Sequence, residues 1–149
     1  MKTVQLKLEL CKLGDEGYHI FCKGRINGVR ARILIDTGAS ISVINKAFAA
    51  EINLTEQVDM ETTSTAGINP GGIKAEFLKV DVLKFKKLVI KNLTVGSVDV
   101  EHVNQLYSEM NIKPFDFILG GEVLERCGAV INYLDNTLTF QSPKYKLAF

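Results

Sequence analysis

The sequence lacks the features that mark membrane, secreted or nucleic-acid-binding proteins. No apolar run approaches the roughly 18 residues that a membrane-spanning helix needs. The first residues alternate between apolar and polar, which predicts a strand over residues 4–10 rather than a signal peptide. The net charge is only +1 over 149 residues, so charge predicts neither a nucleic acid nor a membrane surface as a partner.

Cysteine and histidine are also scarce. Cys11, Cys22 and Cys127 cannot all pair within one chain, and their spacing matches no zinc site. We interpret them as reduced thiols of a cytoplasmic protein. The two histidines, His19 and His102, stand in no ligand or nucleophile spacing, so neither a zinc nor a cysteine hydrolase is indicated. We expect no cofactor and no metal.

What is present is a set of short alternating runs separated by turn signals. The length and a hydrophobic fraction of 46% fit one domain over residues 1–149. Many short strands predict a mainly β protein with sandwich or barrel-like packing. Asn27-Gly28 predicts a hairpin turn, and Asn45 predicts the start of a short helix over residues 46–52. The predicted strands cover residues 4–10, 18–26, 29–35, 58–65, 73–83, 88–90, 93–100, 115–119, 129–133 and 138–140.

One stretch, residues 30–42, carries the candidate chemistry. Its apolar run ends abruptly in Asp36, Thr37 and Gly38, so a strand with a buried face delivers a carboxylate to a tight turn. Taken alone, the tripeptide is explained equally well by an ordinary strand end with an aspartate-initiated turn.

A glycine-rich turn over residues 66–72 lies between two predicted strands. Gly67 and Gly72 have the separation of a P-loop, but Ile73 stands where that motif needs a lysine. An exposed loop and a mobile cover over a site both fit this turn, and we favour the cover. Four lysines around the next turn lack interleaved aromatic residues and are most simply solvated, with no partner assigned: Lys84, Lys86, Lys87 and Lys91.

A second apolar strand, Phe117-Ile118-Leu119-Gly120, supplies the context that the acidic turn lacks. A short helix with Glu122 in its first turn follows the strand, and Ala129-Val130-Ile131 comes after it. Residues 101–110 between the strands remain open as a loop or a short helix. Together with Asp36-Thr37-Gly38-Ala39-Ser40 and the glycine-rich hairpin, this pattern resembles the retropepsin-like aspartic proteases over most of the chain.

The resemblance implies a fold and a subunit arrangement. The fold is an acid-protease-type closed, barrel-like single lobe with one or two short helices, a flap hairpin and a core over about residues 18–140. In this family two carboxylates share a proton, yet the chain has one Asp-Thr-Gly. Asp116 lacks the Thr-Gly turn and is a poor second member. The resemblance therefore implies a homodimer in which Asp36 meets its own copy.

The resemblance also implies residue roles and a substrate class. Asp36, Thr37 and Gly38 form the catalytic motif, and Glu122 is expected to be structural. The substrate is a protein or peptide bound in an extended conformation. The alternative is a retropepsin-fold dimerisation or peptide-binding module with little turnover, although the intact motif favours an enzyme. Residues expected to bind substrate are Ala39, Ser40, Thr65, Ala66, Gly67 and Ile68.

Overall fold

The computed structural model describes residues 1–15, 17–59 and 76–149. In this part of the chain the strands are β1 (Lys2–Lys7), β2 (Glu9–Lys12), β3 (Tyr18–Ile26), β4 (Val29–Ile35), β5 (Val43–Asn45), β6 (Glu76–Phe85), β7 (Leu88–Val98), β8 (Phe117–Leu119), β9 (Ala129–Asn132), β10 (Thr137–Ser142) and β11 (Lys146–Ala148). The helices are α1 (Lys46–Glu51), α2 (Glu101–Glu109) and α3 (Gly121–Arg126). The predicted mainly β fold is confirmed.

The larger sheet closes on itself. Its strands follow the order β11-β7-β5-β8-β4-β3-β2, and β6 pairs with both β3 and β7. The six strands β3, β4, β8, β5, β7 and β6 therefore form a ring, which is the predicted barrel. A second sheet, in the order β1-β10-β9, packs its apolar side chains against the same core.

Local sequence signals set several of these elements. Asn27 and Gly28 both take positive φ angles (48° and 83°) in the turn that joins β3 to β4, as this type of hairpin requires. Asn45 begins α1, since its side chain accepts a hydrogen bond from Ala47 N at 3.2 Å. Both predictions are confirmed.

Two strand predictions differ from the structure, and the structure decides one assignment that the sequence left open. Residues 4–10 are not one strand, because the chain passes from β1 to β2 at the buried Leu8 and changes its pairing partner from β10 to β3. Residues 88–98 form one continuous strand, since Asn92 takes a φ of 59° without shifting the register with β6. The ambiguous residues 101–110 contain α2. The predicted strand over 58–65 falls mostly outside the described residues.

Two apolar clusters lie on opposite faces of the β3–β4 hairpin. The main core fills the barrel and includes Val4, Leu6 and Leu8 of the first residues. A smaller cluster lies under α2, where Tyr107 packs with Phe21. Further members of that cluster are Leu34, Val100, Ile112 and Phe115. Helix α2 therefore covers one part of the outer face of the hairpin. Within the described residues, no helix has the length and apolar content to cross a membrane.

Candidate active site

The acidic turn lies where two parallel strands end side by side. β4 pairs with β8 in parallel, with Ile35 opposite Leu119 as the last pair. β5 pairs with the other edge of β8 in antiparallel orientation, so β8 lies between β4 and β5. The loop 36–42 joins β4 to β5 and therefore has to cross the end of β8. This crossing brings the two sequence motifs together.

Asp36 is exposed and is held by the backbone on both sides. Its N–H donates to Leu119 O at 3.0 Å, which continues the pairing of β4 with β8 by one residue. Its Oδ1 accepts a hydrogen bond from Gly38 N at 2.9 Å. A Cβ atom on residue 38 would lie 3.3 Å from that oxygen, a tight contact that glycine avoids. The carboxylate is thus oriented at the surface of the chain.

Gly120 and Gly121 receive the loop at the end of β8. Gly121 N donates to Ala39 O at 2.7 Å. A Cβ atom on Gly120 would lie 2.8 Å from Ala39 O and 2.9 Å from Ile41 C, closer than real Cβ contacts. The loop can pack this closely only because residue 120 has no side chain.

Ser42 and Glu122 fasten the other end of the loop. The buried Ser42 hydroxyl donates to Glu122 Oε1 and accepts a hydrogen bond from Gly120 N at 2.9 Å. Ser42 N also donates to Glu122 Oε1, at 2.9 Å. These contacts support the structural role expected for Glu122. The sequence did not indicate the role of Ser42, because a serine in a short apolar run gives no sign of a hydrogen-bond partner 80 residues away.

Helix α2 flanks the acidic end of the hairpin. Tyr107 is buried, and its hydroxyl lies 2.5 Å from His19 Nδ1. Burial raises the pKa of Tyr107, and the charges of Cys11 and Asp36 raise it further against the opposing charge of Arg32. His19 is therefore a packed residue in contact with a phenol.

The buried thiols are unsuited to nucleophilic chemistry. Burial raises the pKa of Cys22 to about 12. Burial likewise raises the pKa of Cys127 to about 11, against the opposing charge of Arg126. Both groups are protonated at neutral pH, whereas the thiolate is the reactive form. Across residues 1–15, 17–59 and 76–149, no group of three or more His, Cys, Asp or Glu side chains is arranged to hold a metal ion.

Asp116 lies at the opposite end of β8 from Asp36. Its Oδ2 accepts a hydrogen bond from Arg32 N at 2.8 Å, and its N–H donates to Arg32 O at 2.8 Å. The three residues of β8 lie between Asp116 and Gly120, so four steps along the strand separate the two, roughly 13 Å. Asp116 therefore serves the pairing of the strands and cannot share a proton with Asp36 of the same chain.

Asp116→Asn is expected to change the pH dependence of stability. Burial raises the pKa of the Asp116 carboxyl above its ordinary value of 3.8, although the Arg32 hydrogen bond opposes this. The folded state therefore binds the Asp116 proton more tightly than the unfolded chain does. Below pH 3.8 this difference stabilises the folded state, and the stabilisation is lost as pH rises from 3.8 through the folded pKa. The variant, which does not titrate, should gain stability relative to the native protein over that range. We expect less than about 1 kcal/mol, since solvent screens a half-buried carboxyl.

Urea unfolding at a series of pH values measures this difference. The matched control is Asp135→Asn, on the exposed β9–β10 turn. A variant that loses stability relative to the native protein as pH rises would contradict the expected sign.

The predicted site residues divide into two groups. The loop brings Asp36, Thr37, Gly38, Ala39 and Ser40 to the end of β8; Ala39 is half-buried, and the others are exposed. The flap prediction concerns residues outside the described part of the chain: Thr65, Ala66, Gly67 and Ile68. The structure therefore describes the acidic loop and leaves the predicted flap outside the described residues.

Comparison with known proteins gives this chain a family and a fold. The family described as Aspartyl protease matches residues 22–123. No curated protein sequence matches the chain significantly. A retropepsin-like aspartic protease from Rickettsia conorii has a TM-score of 0.59 and 21% identity, over 95% of this chain and 91% of that one. The retroviral protease-like domain of Ddi1 from Leishmania major has a TM-score of 0.55 and 21% identity, over 81% of this chain and 86% of that one.

At these identities the two solved structures establish the fold, and the family match covers more than half of the sequence. Both agree with the resemblance seen in the sequence. The chain has a retropepsin-like fold and belongs to the aspartyl protease family.

Proposed function

We propose that this protein is an aspartic endopeptidase that is active as a homodimer. The observation that carries the proposal is the exposed Asp36 carboxylate, oriented by Gly38 N at the joined ends of β4 and β8. The proposed subunit is a single retropepsin-like domain over residues 1–149. We also retain a cytoplasmic location as part of the proposal, supported by the free thiols of Cys22 and Cys127.

The proposed chemistry needs two carboxylates in one site. One Asp36, ionised, removes a proton from a water molecule, while its copy, protonated, donates a hydrogen bond to the substrate carbonyl. The water oxygen then attacks the carbonyl carbon, the C–N bond breaks, and the proton taken from the water passes to the leaving amine. Two carboxylate charges at hydrogen-bond distance repel each other strongly, so the proposed pair holds a single proton between its two members. Hydrolysis requires no group beyond the two carboxylates and the water.

The homodimer follows from the number of suitable acids in the described chain. Asp36 is the acid at the glycine-terminated end of β4, whereas Asp116 is engaged with Arg32 at the far end of β8. A second chain related by a two-fold axis would present an identical Asp36 to the first. The exposure of Asp36 and Thr37 in the isolated chain is compatible with such an approach.

Further roles are proposed for the neighbouring residues. The Thr37 hydroxyl would join the two acidic turns across the dimer, and Gly38 would keep the backbone close to the carboxylate. Ala39 and Ser40 would contact the backbone of an extended protein or peptide substrate. The flap around residues 65–68 would cover that substrate and exclude water from the cleft.

The oligomeric state tests this proposal directly. Sedimentation equilibrium is expected to show a reversible dimer, and cleavage per chain should fall on dilution as dimers dissociate.

Cleavage should also be fastest at mildly acidic pH, because the pair must keep one proton. A stable monomer with undiminished cleavage would contradict the proposal. A dimer without cleavage of a broad peptide library would identify the alternative, a dimerisation or peptide-binding module.

A further inference from the structure

A second concave site lies on the outer face of the β3–β4 hairpin, beside the part that α2 covers. It is a cavity of about 680 Å³, and its lining does not include the acidic loop. Seven lining residues are cationic and only one is acidic, in a protein whose net charge is +1. The cationic residues are Lys23, Arg25, Arg30, Arg32, Lys84, Lys86 and Lys113.

The strand register places like charges directly opposite one another. Lys23 pairs with Arg32, and Arg25 pairs with Arg30 across the hairpin. On its other edge Arg25 also pairs with Lys84 of β6. Directly opposed like charges destabilise a sheet. Three such pairs on one face therefore oppose folding unless an anion offsets their repulsion.

The chain itself supplies little neutralising charge. Glu9 forms an ion pair with Arg32 at 2.6 Å, the only ion pair among the described residues. The Arg32 guanidinium also stacks over the Phe21 ring at 4.1 Å, which fixes its orientation. Its Nε is buried without a hydrogen-bond partner within the described part of the chain. Most of the cationic charge around the cavity is therefore left without an acidic side chain.

We propose that this cavity binds a compact soluble ligand with two or more phosphate groups. Guanidinium groups donate paired hydrogen bonds to phosphate oxygens, and the lysines in the lining add point charges. The volume lies in the range of small-molecule sites. The limited volume of the cavity and the low net charge of the protein fit a small polyanion better than an extended nucleic acid. The site is independent of the proposed protease activity. It gives Lys84 a role where the sequence indicated only solvation, whereas Lys86 Nζ already donates to Gln5 O at 2.6 Å.

Calorimetric titration with inorganic tripolyphosphate tests the site. Saturable binding is expected, with a rise in Tm that depends on tripolyphosphate concentration. Lys23→Gln/Lys84→Gln should weaken binding by about tenfold or more. The matched control Lys46→Gln/Lys91→Gln removes two exposed lysines outside the cavity and should change affinity by less than about twofold.

Stability without the anion provides a second readout. Lys23→Gln/Lys84→Gln should have a higher Tm than the native protein, because it relieves repulsion between opposed charges. Weaker binding by a more stable variant cannot result from unfolding. The proposal is overturned if tripolyphosphate does not bind saturably, or if both double variants weaken binding equally. Binding of a multiply phosphorylated peptide or phosphoinositide vesicles without binding of tripolyphosphate would also overturn it.

Discussion

Asp36→Asn is expected to reduce cleavage of a peptide library to background, a loss of about 10⁴-fold, while the dimer stays folded. The asparagine amide can still accept the hydrogen bond that Gly38 N gives to Asp36 Oδ1, so the turn geometry should survive. It can neither remove a proton from water nor share one with its copy. Cleavage rates and sedimentation equilibrium of the purified variant measure the two expectations.

Asp116→Asn is the matched control for this experiment, since it makes the same chemical change at the other end of β8. It should cleave at close to the native rate, because its side chain contacts Arg32 rather than the acidic loop. Unchanged cleavage by Asp36→Asn would remove Asp36 from the mechanism. Loss of cleavage in both variants would point to a general effect on the fold.

Mixing native and Asp36→Asn chains tests whether the two carboxylates come from different subunits. In an equal mixture of exchanging dimers, about one quarter of the dimers contain two native chains. Activity should therefore fall to about one quarter of that of native protein at the same total chain concentration. Independent active monomers would retain about one half of the activity. The second result would contradict the shared site.

Gly120→Ala is expected to have the largest effect on stability. Its Cβ would lie 2.8 Å from Ala39 O and 2.9 Å from Ile41 C, and both contacts are with backbone atoms that cannot rotate away. The loop must shift, with a loss of about 3 kcal/mol in the free energy of unfolding. Because the same loop carries Asp36, we expect cleavage to fall by about 100-fold in kcat/KM. Denaturant unfolding and peptide cleavage measure the two losses.

Gly96→Ala is the control for Gly120→Ala. Gly96 is also a buried glycine, on β7, but its Cβ would meet Val43 Cγ2 at an ordinary 3.7 Å. This variant should keep its stability and cleavage. A Gly120→Ala protein as stable as Gly96→Ala would show that the loop does not need the close approach.

Local sequence was sufficient to predict a structural element wherever a residue determines the conformation of its immediate neighbours. Asn27-Gly28 determines a turn through two positive φ angles, and Asn45 begins α1 by accepting a hydrogen bond two residues away. The strand that ends in Asp36 was likewise predictable, because the apolar run stops where residues with low strand propensity begin.

Helix α2 shows why a local pattern can stay ambiguous. Asn104 is buried in the middle of the helix and interrupts its apolar face. Its side chain exchanges hydrogen bonds with the backbone of Phe115, donating to Phe115 O at 3.1 Å and accepting from Phe115 N at 3.0 Å. In the sequence alone, where that partner cannot be seen, an asparagine at this position is more typical of a loop than of a buried helix face. The helix therefore depends on a contact that its own sequence does not reveal.

The sequence by itself determined the acidic turn, the glycine that ends β8 and the hairpin strands β3 and β4, since each depends on residues adjacent in the chain. The tertiary structure decided which of these meet. Parallel pairing of β4 with β8 brings Asp36 beside Gly120, and the hydrogen bonds of Ser42 with Glu122 fix the loop. It also gathers cations from three strands around one cavity. Such contacts depend on strand register over long separations, which a local pattern does not encode.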